Sequence, residues 1–327
     1  MTADHSKSLN KRSHVKIYFG RYALAVGAII LLLIMLINNK QAITDMREGL
    51  SVCAKTLIPS LFPFMVISEI MISADVMRLP FDRFFKRLLG INSDAAAASL
   101  LGMICGFPIG ARCASSLYAK GRITRTEYLR MLTLSCNPSP AFMIGAVGIS
   151  AFGSKKTGIT LYIICILSAL AVTLAITHIF GGKERLSPAP LPVAPPSASD
   201  KSLAVIFTDA VRSSAVSMLY VCAFVVFFGT LTGSTEGFTA ELPDWSGAII
   251  SGFFELTGGI TRASNLNTHG IYVAALVSGW SGLSVHFQIM SICGKDGISF
   301  APYILAKLAE GLLCIVLAVA ATVVGII

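Results

Sequence analysis

The sequence predicts an all-α polytopic membrane protein made of two inverted-topology repeats, each with a Gly-broken re-entrant hairpin and an interrupted transmembrane helix. Three observations lead there. Apolar residues make up 54% of the 327 positions and charged ones only 13%, against roughly 25% charged in a soluble domain. Mean hydropathy is +0.75, more apolar surface than a soluble fold of this length could bury. Finally, the basic residues cluster between the apolar runs, and two of those runs, 94–119 and 246–267, are punctuated by glycine at matching places.

Residues 1–15 are polar and read as a disordered cytoplasmic N-terminus. Residues 16–40 form the first transmembrane helix. Ala23–Ile37 carries no charge, and with the residues from Ile17 onward it reaches about 20 positions, enough to cross a hydrocarbon core of ~30 Å. Asn38-Asn39-Lys40 follows where signal cleavage would need small residues, so the span is read as retained. The first repeat covers 41–180. In it, amphipathic Thr44–Lys55 leads into a second span, Thr56–Met77, that contains Pro59 and Pro63. A basic loop, 78–93, follows.

The stretch 94–119 is broken at Gly102, Gly106, Pro108 and Gly110, and basic residues flank both ends. A single crossing would put Lys120–Arg130 outside, whereas a re-entrant hairpin returns it to the cytoplasm. Broken backbone at that depth needs protein or a water-filled cavity around it. Next come a span over Tyr128–Phe152, interrupted at Cys136-Asn137-Pro138-Ser139-Pro140, and a return span over Gly158–Phe180. Residues 181–201 are Pro/Ser-rich and read as a flexible cytoplasmic linker. The second repeat, 202–327, has the same plan. It runs through a long helix Leu203–Leu231, the Gly-broken stretch Ser246–Asn267, a span Ile271–Cys293 interrupted at Gly279-Trp280-Ser281-Gly282, and a last span Pro302–Ile327.

Net charge is +9. Lys7, Lys11, Arg12, Lys16 and Arg21 precede the first span; Arg78, Arg83, Lys86 and Arg87 form a second cluster; Lys120, Arg122, Arg125 and Arg130 a third; Lys183, Arg185 and Lys201 a fourth. Gly233–Trp245 instead carries Glu236, Glu241 and Asp244. The positive-inside tendency puts the basic clusters and the N-terminus in the cytoplasm and the acidic segment outside. No basic patch is interleaved with aromatics, so no nucleic-acid partner is expected. The partners expected are the lipid bilayer and a small anionic ligand, with a homo-oligomer left open. The eight cysteines form neither a CxxC pair nor a zinc-spaced Cys/His cluster and read as small apolar filler. No metal or cofactor is expected. Without a P-loop or a G-x-S-x-G elbow, neither ATP-driven pumping nor hydrolase chemistry is expected, and the chain reads as a non-enzyme.

The halves align. Thr44-Asp45 matches Thr208-Asp209, Gly102 and Arg112 share their spacing with Gly252 and Arg262, and Asn137-Pro138-Ser139 matches Ser281-Gly282-Leu283. By charge, the first half starts outside and the second inside. Inverted repeats with broken helices at corresponding places point to a secondary transporter, because half-helix ends at the midplane can hold ions and polar ligands. The alternative is that the glycines only let helices approach closely. The hairpin breaks are assigned to Gly106, Pro108 and Gly110 and to Gly258 and Gly259.

Arg112 and Arg262 follow these breaks, and a guanidinium fork fits a carboxylate. As a symmetric pair they could clamp a ligand with two carboxylates; alternatively Arg112 is an interfacial anchor. Asn137, Ser139, Ser281 and Ser284, at the interruptions, could bind ligand or an ion, or make ordinary interhelical hydrogen bonds. His286 and Gln288 are further substrate-binding candidates, although a lone His on an apolar face is commonly a packed residue. Glu255, Glu69 and Glu310 are acidic in apolar surroundings, where ionisable groups mark proton or ion pathways. Lys307 and Glu310, at i,i+3, could simply neutralise each other.

Gly106-Phe107-Pro108-Ile109-Gly110-Ala111, Ser135-Cys136-Asn137-Pro138-Ser139-Pro140 with Phe142-Met143-Ile144-Gly145, and Gly279-Trp280-Ser281-Gly282-Leu283-Ser284-Val285-His286 together resemble the YlbJ-type sporulation integral membrane proteins. These carry the nucleoside-recognition gate domain, and the resemblance covers roughly 40–327. It implies that both repeats are gate-like and that the chain acts in endospore formation. It further implies transport of dipicolinic acid, a small aromatic dicarboxylate, across the mother-cell-derived membrane around the forespore. Phe107 stands where the family pattern leads one to expect Tyr, which bears on substrate rather than fold. The alternatives are a nucleoside-type permease and a non-transporting structural or assembly protein of sporulation.

Overall fold

The computed structural model describes residues 21–22, 25–73, 82–180, 202–234, 242–267 and 269–327. The expected disordered N-terminus, the linker 181–201, Arg78, Glu236 and Glu241 lie outside the described residues. All regular structure among the described residues is helical. Five helices are long and apolar enough to cross a membrane, and a sixth span results if one bent pair is counted. The chain is a multi-pass membrane protein.

Helix α1 (Ala25–Ile37) is short and apolar and gives way at Asn38 to α2 (Asn39–Ser73), one helix of 35 residues. The sequence reading separated an amphipathic segment from a span beginning at Thr56, but the helix is continuous. The reason lies in a wide π turn at Cys53–Leu57. A proline ring clashes with the carbonyl four residues back, and the wide turn just ahead of Pro59 gives it room. Beyond residue 81 come α3 (Asp82–Leu89) and α4 (Ser93–Cys105), bent by 70° to each other. They are followed by α5 (Ile109–Ala119), α6 (Arg125–Ser135), a π-helical α7 (Phe142–Ala151) and α8 (Lys155–His178). The second half has α9 (Leu203–Ser234), α10 (Asp244–Phe254), α11 (Leu256–Ser264), α12 (Gly270–Trp280), α13 (Gly282–Cys293) and α14 (Ala301–Val323).

Helices α2 and α9 pair antiparallel. Asn38 reaches the Ser234 carbonyl, Gly49 lies against Val226, and the Cys53 thiol faces the Cys222 carbonyl. The pair therefore gives the bundle two ends, one marked by Asp45 and the other by Glu69. Ile67, Leu167, Leu219, Leu312 and Val316 face outward from the long helices, as a lipid-facing belt requires.

Helices α4 and α5 form a hairpin whose base is tied at the Glu69 end. Asn92 caps α4 through Ala95 N–H and donates to the Arg122 carbonyl at 2.8 Å, while Arg122 pairs with Asp94 at 2.8 Å. The Glu127 carboxylate, part of the Thr124 capping box of α6, also accepts from Asn92 N–H. Helices α10 and α11 form the second hairpin. The first breaks at Gly106 (φ 80), a conformation that favours glycine. The second breaks at Glu255, in extended backbone, and not at Gly258 and Gly259. Those two glycines lie inside the first turns of α11, where Gly259 closes onto Gly252. Gly110 likewise lies within α5, where the absence of a side chain lets Ser135 approach. Pro108 is the residue before α5.

Candidate functional site

Each hairpin tip docks on the interruption in its own half of the chain. The Phe107 N–H donates to the Asn137 carbonyl at 3.0 Å, and Gly106 lies against Ser139. In the second half the Trp280 indole donates to the Phe253 carbonyl at 3.0 Å, and Gly282 (φ 83) lies against Glu255 and Leu256. Ser281, between α12 and α13, has φ 74, a left-handed conformation uncommon outside glycine.

Both tips, the first interruption and α13 beyond the second meet at one narrow cleft of about 30 Å³, whose walls include Phe107, Pro138, Ser139, Glu255, Val285 and Gln288. Four helices have their N-terminal ends in this region, where the partial positive charge of a helix end gathers. Two are capped by side chains: Ser139 accepts from Phe142 N–H, and Glu255 accepts from Thr257 and Gly258 N–H at 3.0 and 2.6 Å. No side chain caps α5 or α13. Val225, Glu255 and Thr257 also line a vestibule of about 370 Å³ that runs toward the Asp45 end past Gly229, Gly233 and Arg262.

The two arginines do not converge. Arg112 pairs with Glu69 at 2.8 Å, donates to the Ser213 carbonyl at 3.0 Å and bonds the Ser213 and Ser217 hydroxyls. Arg262 lines the vestibule with Asp45 and Glu48, its guanidinium beside Gly247 in the first turn of α10. Glu69 and Asp45 stand on one helix at levels about 36 Å apart by helical rise. A single small dicarboxylate cannot touch both arginines, so the expected clamp is corrected. Arg112 instead joins α2, α5 and α9 at the Glu69 end.

Among the other predicted residues, Ser139, Glu255 and Gln288 line the cleft. Gln288 donates to the Ser284 hydroxyl at 3.3 Å. Ser281 is buried, and its hydroxyl turns back to the Ser278 carbonyl. Asn137 and His286 lie behind the cleft with Glu310, in a cluster centred on Lys307. The Lys307 ammonium donates to Asn137 Oδ1 at 2.8 Å, the Cys136 carbonyl at 3.0 Å and Glu310 at 2.5 Å. Both Lys307 and Glu310 are fully buried. His286 stands edge-on to Trp280 and Tyr303 with ring centroids 4.4 and 5.5 Å away. The Trp280 backbone lies near its ring, but short of hydrogen-bond geometry, and neither ring nitrogen is bonded. The sequence reading left Lys307 as a local partner of Glu310 and did not single out Tyr303. The available signal was a lysine in the middle of an apolar span. Among the described residues no group of three His, Cys, Asp or Glu side chains is placed to hold a metal ion.

The chain is 30% identical over 304 residues to the sporulation integral membrane protein YlbJ of Bacillus subtilis (strain 168), covering 81% of this chain and 74% of that relative. The chain belongs to the YlbJ family of sporulation integral membrane proteins. No family model matches it and no solved structure matches it. For this YlbJ-family chain, then, the docked hairpins, the cleft and the Lys307 cluster are read from its own geometry.

Proposed function

We propose that this chain is a secondary transporter of a small organic anion, with dipicolinic acid as the substrate the family resemblance implies, working by alternating access between two inverted repeats. The observation that carries the proposal is the meeting of both hairpin tips and both interrupted helices at one cleft. Each half supplies a long helix, a hairpin that enters and returns at one end, an interrupted helix and a closing helix, and the second half runs in the opposite direction. The Cys314 thiol on α14 meets the Ser168 hydroxyl on α8 at 3.3 Å, and these residues stand equally far from the starts of their helices. Such self-matching contacts are expected beside a pseudo-two-fold axis. The hairpins are then re-entrant, with irregular backbone only where protein or a cavity surrounds it.

Access supports the same reading. The cleft continues into the vestibule toward the Asp45 end, while Arg112, Glu69, Ser213 and Ser217 join the helices at the other. The cluster Arg83, Lys86, Arg87, Lys120, Arg122 and Arg125 supports a cytoplasmic Glu69 end, with which a cytoplasmic N-terminus and an outward-facing state agree. An anion entering the cleft meets the uncapped N-terminal ends of α5 and α13. In a sporulating cell the membrane would be the mother-cell-derived one around the forespore.

A nucleoside-type permease is the second reading, and the walls of the cleft favour it: they include Ser139, Glu255 and Gln288 but no lysine or arginine. Purified protein in liposomes, offered labelled dipicolinate, succinate and uridine, separates the two. Dipicolinate movement that unlabelled dipicolinate suppresses and uridine does not is expected. Uridine movement alone transfers the assignment to the permease, and movement of none removes the transport reading.

A further inference from the structure

We propose that Lys307 and Glu310 form a proton-gated anion site: a proton on Glu310 frees the charge of Lys307 to compensate an organic anion in the adjoining cleft. The proposal rests on the transport reading above and names its coupling chemistry.

A buried ion pair is tolerated because its charges cancel and its remaining hydrogen-bonding capacity is met. Here the ammonium has three acceptors, in Asn137, Cys136 and Glu310, whereas Glu310 Oε1 has no hydrogen-bond partner. The Tyr303 hydroxyl and both His286 nitrogens, likewise buried, are also unbonded. A cluster built only for stability would satisfy these atoms, since an unmet buried polar group is costly. This one keeps an acceptor open on its carboxylate and further polar atoms beside it.

Protonation changes one quantity. The Glu310 carboxylate takes a proton on an oxygen and becomes neutral; Lys307 stays an ammonium on Asn137 and Cys136; the net charge of the pair goes from zero to plus one. An uncompensated cation at that depth is unfavourable, so the protonated state attracts an anion and the deprotonated state does not. Asn137 is the link, because its Oδ1 holds the ammonium while the next two residues, Pro138 and Ser139, are walls of the cleft. The cleft thereby gains a cation behind its wall only when a proton is present. Anion and proton each strengthen the binding of the other, by the reciprocity of linkage.

The titratable groups around the pair are His286 on α13, Tyr303 and Cys314 on α14, Cys136 after α6 and Cys165 on α8. The thiols and the phenol are neutral when protonated and have no site for a further proton. His286 has one, but a proton there would set a second cation beside Lys307. Glu310 is the carboxylate bonded to the ammonium and the group whose protonation unmasks it.

Two measurements on full-length protein in liposomes test this. Infrared difference titration without ligand is expected to show a protonated-carboxyl band appearing on acidification in wild type and missing from Glu310→Gln. A wild-type protein without that band at any pH at which it stays folded overturns the proposal. In the second, dipicolinate affinity in wild type should weaken by about tenfold per pH unit above the titration. Glu310→Gln should bind with no such slope, and Lys307→Met should lose binding. A slope retained in Glu310→Gln, or wild-type affinity in Lys307→Met, overturns it. If the band is present but dipicolinate and succinate neither bind nor move, the anion reading fails, and with it the compensation step, while the proton site stands.

Discussion

The two ends of the bundle are built from corresponding pieces but do different things. At the Glu69 end, Arg112 of the first hairpin is held by Glu69, Ser213 and Ser217 on the two long helices. At the Asp45 end, Arg262 of the second hairpin borders a vestibule instead. When Thr44-Asp45 is aligned with Thr208-Asp209, Glu69 corresponds to Gly233, Ser213 to Gly49 and Ser217 to Cys53. The polar groups that hold Arg112 are thus replaced by two glycines and a cysteine in the other half. Gly49 and Gly233 both line the vestibule, and the Asp45 carboxylate fills the space beside Gly233. Corresponding positions in the two halves thus carry unequal side chains, and the two ends are lined differently.

A second inequality lies in the closing helices. Counted from their helix starts, Lys307 and Glu310 of α14 correspond to Leu161 and Ile164 of α8, both buried and apolar. Of the two closing helices only α14 carries charge into the core at these positions, and removing it gives the largest expected effect. Lys307→Met leaves Asn137, the Cys136 carbonyl and Glu310 without their donor, and should lower stability by roughly 3–5 kcal/mol. The readout is the thermal midpoint in detergent. Lys307→Met with Glu310→Leu, which makes α14 resemble α8, should recover most of the loss. A single variant that melts like wild type would mean that the pair contributes nothing to the core.

Breaking the Arg112 contacts comes next. Arg112→Ala strands Glu69, which is mostly buried, and removes its bonds to two serines, an effect of about 2–4 kcal/mol on the closed state. A cysteine placed at Ser217 should then react faster with a membrane-impermeant maleimide, while one placed at Thr261 in the vestibule should react at an unchanged or lower rate. Equal rates at Ser217 with and without Arg112 would show that Arg112 does not hold that end shut.

How far these differences could be read beforehand depended on their range. The long apolar spans and the Asn137-Pro138-Ser139 and Gly279–Gly282 breaks were legible because hydropathy and its interruptions are local signals, whereas Tyr128–Phe152, read as one interrupted span, divides into α6 and α7, each too short to cross. The continuity of α2 was not legible, since Pro59 reads as a breaker until the π turn ahead of it is known. Glycine also misled in the second hairpin: Gly258 and Gly259 look like a hinge, yet the chain turns at Glu255, whose side chain caps the next helix. Most opaque were pairings across the bundle. Nothing near Arg112 announces Glu69 or Ser213, and Lys307 shows a local partner in Glu310 while its contact with Asn137 spans half the chain.

That contrast between the hairpin breaks yields a smaller effect. Gly106→Ala puts a side chain on a residue with φ 80 lying against Ser139, at a cost of about 1–3 kcal/mol. Gly258→Ala puts one inside a helix, where the added atom meets only the Ser251 hydroxyl and the Glu255 carboxylate. Its helix-propensity gain, up to about 1 kcal/mol, offsets that contact. Thermal midpoints should separate the two variants clearly. Equal losses would return the second break to the glycines.

The smallest effect belongs to Glu255, and its size discriminates between roles. As a cap on α11 it satisfies two backbone N–H groups, so Glu255→Ala should lower stability by only about 1 kcal/mol. Glu255→Gln keeps an oxygen for the same N–H groups and should lose less, while removing the negative charge that stands between cleft and vestibule. For an anionic ligand the glutamine variant should therefore bind at least as tightly as wild type, because a like charge has left its path. For a ligand that needs a hydrogen-bond acceptor there, as a nucleoside would, the same variant should bind more weakly. Measuring dipicolinate and uridine affinity on this one variant, with its midpoint near wild type, discriminates between the two proposed ligands; an affinity unchanged for both would remove Glu255 from either role.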